Sequence, residues 1–344
     1  MDKIKELWKR NPWVAATVVL LALIAGVIGA LAVMGSNKGY AVPGSHLVII
    51  KEGMTTTDIA ELLHEKKLVK SPAAFRIEAR FKGLAEKLQA GAYQLHGGMS
   101  NSQIADVISK GRIKQVTFAV PEGYTVVRIA RKLEDEGLGR AENFAAAARD
   151  YAPYPYMQTD NPAVLFKAEG FVYPATYKFP VGATEKEMLE MMVNTFHSEM
   201  RSSGVLKEAE DKQMDLRDVV NLAAMVEQEA VFADEQPRIA GVFLKRLEIG
   251  MPIQSDTTIQ YILGTQKEII TIADTKIQNP YNTYQSTGLP PGPIGSPGMS
   301  AIKAVLNPER TDYLYFVAEK DGHHRFTKTY QEHLQAIKDI DGGY

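Results

Sequence analysis

The carboxylates best placed for proton transfer lie in one short run, Val226-Glu227-Gln228-Glu229. Asp215, with Asp218 following at capping-box spacing, reads as the start of a helix extending to about Ala230. On that helix Leu216, Val220, Ala223 and Glu227 share one face, while Asp218, Met225 and Glu229 share the opposite one. A carboxyl that faces a core loses hydration, its pKa rises, and it stays protonated near neutral pH, the state a general acid needs. Glu227 is therefore the expected donor for cleavage of a glycosidic type of bond. The same placement suits a buried glutamate paired with Arg238 or Arg246, and periodicity alone does not choose between the two. Glu229 is expected to stay apart from Glu227, because side chains two apart on a helix point ~200° from each other.

Two loops carry groups suited to holding a sugar. Gln254-Ser255-Asp256-Thr257-Thr258 follows Gly250-Met251-Pro252 and packs hydrogen-bonding side chains into one turn-prone stretch. Asn279-Pro280-Tyr281-Asn282-Thr283-Tyr284 leads into Gly288-Leu289-Pro290-Pro291-Gly292-Pro293-Ile294, too rich in Pro and Gly for a helix or a central strand. Amides and hydroxyls bind sugar hydroxyls and acetamides, and aromatic faces lie under pyranose rings. His323 and His324, beside the Asp321-Gly322 turn, have no carboxylate set at ligand spacing and read as solvent-exposed turn histidines rather than a metal site. The absence of cysteine excludes thiol catalysis, thiolate metal sites and disulfides. With 39 Lys and Arg against 41 Asp and Glu, net charge −2, nucleic acid is not an expected partner.

The elements that must position these groups form an α+β protein. Trp13 to Met34 is uncharged and, at ~1.5 Å per residue, long enough to cross a ~30 Å hydrocarbon core. Lys3, Lys5, Lys9 and Arg10 precede it, so residues 1–12 read as a cytoplasmic tail, 13–34 as a single membrane helix and the remainder as extracytoplasmic. Residues 35–44 are a Gly/Ser/Asn/Pro linker. Beyond it Glu52-Gly53, Thr55, Ile59-Ala60 and Leu63 recur as Glu122-Gly123, Thr125, Ile129-Ala130 and Leu133, with a weaker copy at Gly98-Met99-Ser100 and Ile104-Ala105. Each copy reads as a turn, a capped helix start and a helix with one apolar face, the first and last preceded by strands at His46–Ile50 and Val116–Val120. The unit resembles the LysM module, which implies contact with N-acetylated glycans, although capping and core packing explain the same residues. Residues 45–117 are thus a LysM-like subdomain and 118–344 a mixed α+β domain. In that domain helices are expected at Ala141 onward and Lys186–Met200, followed by a charged connector to Met214. A hairpin is expected around Asp321-Gly322.

Taken together, the chain resembles the endolytic peptidoglycan transglycosylase family (YceG-like) over nearly its whole length. The specific motifs are Glu169-Gly170-Phe171-Val172-Tyr173-Pro174, Val226-Glu227-Gln228-Glu229, Arg246-Leu247 with Gly250-Met251, Gln254-Ser255-Asp256, Asn279 to Tyr284, and Gly288 to Ile294. Thr257, Gln228 and Ser296 depart from residues common in the family at those positions. The resemblance implies lytic, non-hydrolytic cleavage of the β-1,4 bond between N-acetylmuramic acid and N-acetylglucosamine in nascent glycan strands, leaving 1,6-anhydro ends and ending strand elongation. It implies Glu227, the first Glu of the motif, as acid and base, with no metal and no cofactor. The implied substrate contacts are Glu169, Gln254, Ser255, Asp256, Asn282, Thr283, Tyr284, Gly288, Leu289 and Pro290. Peptidoglycan strands, the cytoplasmic membrane and peptidoglycan synthases are the implied partners. Two rivals are a muramidase using Asp256 or Glu169 as a second acid, and a non-catalytic wall-binding scaffold.

Overall fold

Alternating burial defines the first strand. In β1 (Ser45–Ile50) Val48 and Ile50 are buried while Leu47 and Ile49 stay exposed, the period-two pattern of a strand covered on one face. β1 pairs antiparallel with β2 (Gly91–His96), Val48 opposite Tyr93. Between them run α1 (Thr56–Glu65) and α2 (Pro72–Phe81), and α3 (Asn101–Ser109) follows. α1 and α3 open on capping boxes, Thr55 with Asp58 and Ser100 with Gln103, each satisfying otherwise unpaired N–H groups of the first turn. Ile59 and Leu63 of α1 and Ile104 and Ile108 of α3 close one core with Phe75, Tyr93 and Leu95. The weakest copy of the repeat is thus a fully capped, fully packed helix.

The structure is a computed structural model that describes Trp13, Thr17, Leu20, Leu21 and residues 45–111, 114–267 and 269–341. The chain divides into two compact units, one ending at Val116 and including Pro180–Gly182, the other formed by Thr117–Phe179 and the chain from Ala183 onward. Among the described residues no helix is long and apolar enough to cross a membrane. The expected membrane helix over 13–34, with the tail and linker that flank it, lies outside the described residues except for Trp13, Thr17, Leu20 and Leu21.

β3 (Gln115–Ala119) leads to α4 (Val126–Asp135), capped by Thr125, and α5 (Ala141–Asp150); β4 (Thr176–Pro180) pairs with β3. α6 (Glu185–Ser202) opens on the Thr184–Glu187 capping box. The charged stretch after it is not a bare connector: Gly204, at φ +81°, reverses the chain and starts α7 (Val205–Asp211). α8 (Leu216–Glu229) follows from Asp215, whose side chain accepts from the Arg217 N–H. Then come α9 (Gln236–Glu248), α10 (Asp256–Leu263), α11 (Met299–Leu306), the hairpin β5 (Tyr315–Ala318) and β6 (His324–Thr327), and α12 (Tyr330–Asp341).

α8 differs from its expected one-faced character. From Val219 through Val226 every residue is buried, Met225 as fully as Ala223, with α9, α10 and α11 around it. A helix apolar on all sides belongs in the middle of a core, so neither of its faces is a solvent face. Its one polar interior residue, Asn221, donates from Nδ2 to the Pro290 carbonyl at 2.7 Å and ties down the proline-rich loop.

Candidate active site

Because α8 is surrounded, both of its terminal carboxylates are desolvated, and their neighbours distinguish them. Glu227 Oε2 accepts from the Gly298 N–H at 3.0 Å. A side chain at Gly298 would run into the Glu122 carboxyl, its Cβ 2.0 Å from Oε1. Gln228 Nε2 donates to the Gly123 carbonyl at 2.5 Å, and the Gly123 N–H donates to Ser296 at 2.7 Å. This face of α8 therefore fastens the Glu122–Tyr124 turn. Burial raises the Glu227 pKa and the nearby Glu122 adds to the rise, opposed by the Gly298 N–H. In none of the ion pairs among the described residues does Glu227 take part, and Arg238 pairs instead with Glu309.

Glu229 faces elsewhere. It lines a cavity of about 780 Å³ whose lining also includes Arg246, Gln254, Asp256, Tyr284 and His324, and to which Glu227 does not contribute. The Ser255 hydroxyl donates to Glu229 Oε1 in a short contact. Protein surrounds the carboxyl closely even where the cavity leaves it reachable, and this desolvation raises its pKa; Asp256 adds to the rise, while the Ser255 hydroxyl, His324 and Arg246 oppose it. The result is a carboxyl biased toward its protonated form beside an open space, with groups at hand that tolerate the anion.

The loops chosen from sequence divide into those that reach this cavity and those that hold it in shape. Ser255 is the N-cap of α10, so the expected Gln254–Thr258 turn is in part a helix start. Gln254 (φ +52°) and Asp256 are exposed at the cavity, and the Tyr284 hydroxyl donates to Asp256 Oδ1 at 2.6 Å. Asn282 and Thr283 have no exposed surface. Asn282 donates to the carbonyls of Thr275 and Ile277, and Thr283 Oγ1 accepts from the Ser255 N–H at 3.1 Å. Both shape the loop and cannot touch a ligand as they stand, which corrects their expected role as direct contacts. Gly288 and Leu289 are half-buried, and Pro290 is buried with its carbonyl held by Asn221. Glu169, also expected to contact substrate, is 3 % exposed and accepts from the Val126 N–H at 2.9 Å and the Tyr261 hydroxyl at 3.3 Å. It acts as an internal cap of α4.

Arg246 fixes the cavity wall. It is 6 % exposed, donates from Nε to the Leu314 carbonyl at 2.6 Å and from Nη1 to that of Ile253, and lies over the Tyr315 ring. His324 corrects the expectation of an exposed turn histidine, since its ring is buried against Glu235. Among the described residues no cluster of three or more His, Cys, Asp or Glu could hold a metal.

The order of these motifs along the chain is shared with known proteins. The chain is 33 % identical over 299 residues to a Bacillus subtilis (strain 168) protein named endolytic murein transglycosylase, covering 83 % of this chain and 82 % of that one. It is 30 % identical over 317 residues to the protein of the same name from Streptococcus pneumoniae (strain D39), covering 84 % of this chain but only 56 % of that relative. The crystal structure of a YceG-like protein from Listeria monocytogenes superposes with a TM-score of 0.60 at 30 % identity, covering 86 % of this chain and all of that one. The family model described as YceG-like matches residues 48–339, taking in both units and every cavity residue named above, and the chain belongs to that family.

Proposed function

We propose that this chain is an endolytic lytic transglycosylase, cutting the β-1,4 bond between N-acetylmuramic acid and N-acetylglucosamine in nascent peptidoglycan strands, with Glu229 as the acid and base. The observation that carries the reading is a single carboxyl with raised proton affinity lining a cavity shared with Gln254, Asp256 and Tyr284; the names of the relatives support the reaction class. Glu229 gives its proton to the glycosidic oxygen as the C1–O bond breaks and positive charge develops at C1. The carboxylate then takes the proton of the muramyl C6 hydroxyl, whose oxygen closes on C1 to give the 1,6-anhydro ring. No water enters, and the tethered nucleophile has a high effective molarity. Asp256 shares the cavity and so favours one alternative, a hydrolase with a second carboxylate. Mass spectrometry of products from purified glycan strands decides between them: anhydro ends, lighter by one water than reducing ends, are the expected result, and reducing ends alone would make the enzyme a muramidase.

The same reading places the reaction outside the cytoplasm. The basic residues before Trp13 and the uncharged run to Met34 support a single-pass anchor in the cytoplasmic membrane with the N-terminus inside. There the enzyme would meet strands as synthases extend them and would end their elongation, with the repeat region as a candidate glycan contact. A reporter active only outside the membrane, fused after Tyr344, should be active; silence from it beside an active cytoplasmic reporter would reverse the orientation.

A further inference from the structure

One wall of the cavity has no part in the reaction as written. β6 begins at His324, which lines the same cavity as Glu229. Glu235, at the start of α9, grips this residue twice: the His324 N–H donates to Oε1 at 2.9 Å, and ring Nδ1 lies 2.8 Å from Oε2. The two side chains are 5 % and 9 % exposed, and Phe316 meets the ring edge-on at 5.3 Å. Such a buried pair contributes little net stability, because desolvating both partners offsets their attraction. What it does supply is orientation. A carboxylate facing Nδ1 keeps the proton on that nitrogen, so in the neutral ring Nε2 carries the lone pair. Among the described residues Nε2 has no hydrogen-bond partner, whereas the backbone N–H and Nδ1 of His324 are both engaged by Glu235.

We propose that His324 is a second catalytic residue of this cavity, held by Glu235 as its positioning residue, and that its Nε2 accepts a hydrogen bond from a hydroxyl of the bound glycan. This rests on the transglycosylase reading above. The hydroxyl whose direction that reaction must control is the muramyl C6 hydroxyl: while Glu229 still carries its own proton, the C6 O–H donates to Nε2 and its oxygen is held toward C1, and once Glu229 has protonated the leaving oxygen the C6 O–H turns to the new carboxylate, which takes its proton as the oxygen closes on C1. An oriented acceptor on the cavity wall does this without a second carboxylate. His324 and Glu229 line the same cavity, so one bound sugar can meet both. The arrangement is a carboxylate orienting an imidazole that faces a substrate hydroxyl, a pairing that is recognised by geometry and not by sequence position.

The test is the release of anhydro-muropeptides from purified glycan strands by His324→Ala, His324→Gln and Glu235→Gln in the full chain, with melting temperature measured on each. His324→Ala is expected to lower kcat about 10²-fold, in line with the loss of one acid–base or orienting group, with KM little changed. Added imidazole should restore activity to His324→Ala but not to Glu229→Gln. Glu235→Gln should lose less, since an amide oxygen still accepts from Nδ1. If the alanine variant unfolds, His324→Gln at unchanged melting temperature takes its place in the kcat comparison, with the same loss expected. Wild-type kcat in a folded His324 variant overturns the proposal, as does a loss in folded His324→Ala that imidazole does not repair. A wild-type protein that releases no anhydro product overturns the parent reading instead, so the two failures are distinguishable.

Discussion

Glu229→Gln is expected to lower anhydro-muropeptide release by ~10²–10⁴-fold, the usual worth of a general acid and base, while Glu227→Gln retains most of the activity. Glutamine at 229 keeps the volume and can still accept from the Ser255 hydroxyl, but it has no proton to give. The fold should survive, because a neutral amide is easier to bury than a carboxyl that can ionise. At position 227 the side chain's task is to accept from the Gly298 N–H at 3.0 Å, and an amide oxygen does the same. Any loss there should come through the Glu122–Tyr124 turn and appear as a lower melting temperature. Near-normal release from Glu229→Gln, or a loss in Glu227→Gln of equal size in a folded protein, would return the acid to Glu227.

The different surroundings of these two glutamates mark the limit of periodicity in this sequence. The helix, its Asp215 cap and its end were legible because capping chemistry and a long apolar run are local signals. The choice between Glu227 and Glu229 assumed that one face of the helix meets a core and the other meets solvent. The run from Val219 to Val226, broken only by Asn221, already pointed to burial on every side. Once both faces are buried, only tertiary placement decides which carboxyl meets a cavity. Asn282 and Thr283 show the same limit: their types suit sugar binding, but each is fully buried and holds backbone of the loop instead. His324 needed its partner Glu235, distant in sequence and brought near by the hairpin. By contrast the repeat helices and the Asp321-Gly322 hairpin were readable, since each rests on neighbours in the chain.

Glu169 should make stability fall as pH rises, and Glu169→Gln should remove that dependence. The chain reaches Glu169 through a turn closed by Gly170 at φ +84°, where a Cβ would stand 2.4 Å from Pro293 Cβ, so the carboxyl is carried inward under tight packing. It is 3 % exposed and takes part in no ion pair among the described residues; it accepts from the Val126 N–H and the Tyr261 hydroxyl, and the Gly170 backbone also favours its anion. Desolvation therefore prevails over these hydrogen bonds and lifts its pKa from 4.5 to about 8. The folded chain holds this proton in a range where the unfolded chain has already released it. The contribution is thus whole below 4.5 and is lost as pH climbs toward 8, at a slope of up to about 1.4 kcal/mol per pH unit. Glu229 and Glu227, also shifted upward, add slopes of the same sign, so the comparison must be wild type against Glu169→Gln rather than wild type alone. Urea unfolding at several pH values between 5 and 8 should show the wild type losing roughly 3 kcal/mol more than the variant across that range, given the linkage slope. Parallel curves for the two proteins would mean that Glu169 ionises inside the fold at its ordinary pKa, and that the Val126 and Tyr261 donors are enough to hold an anion there.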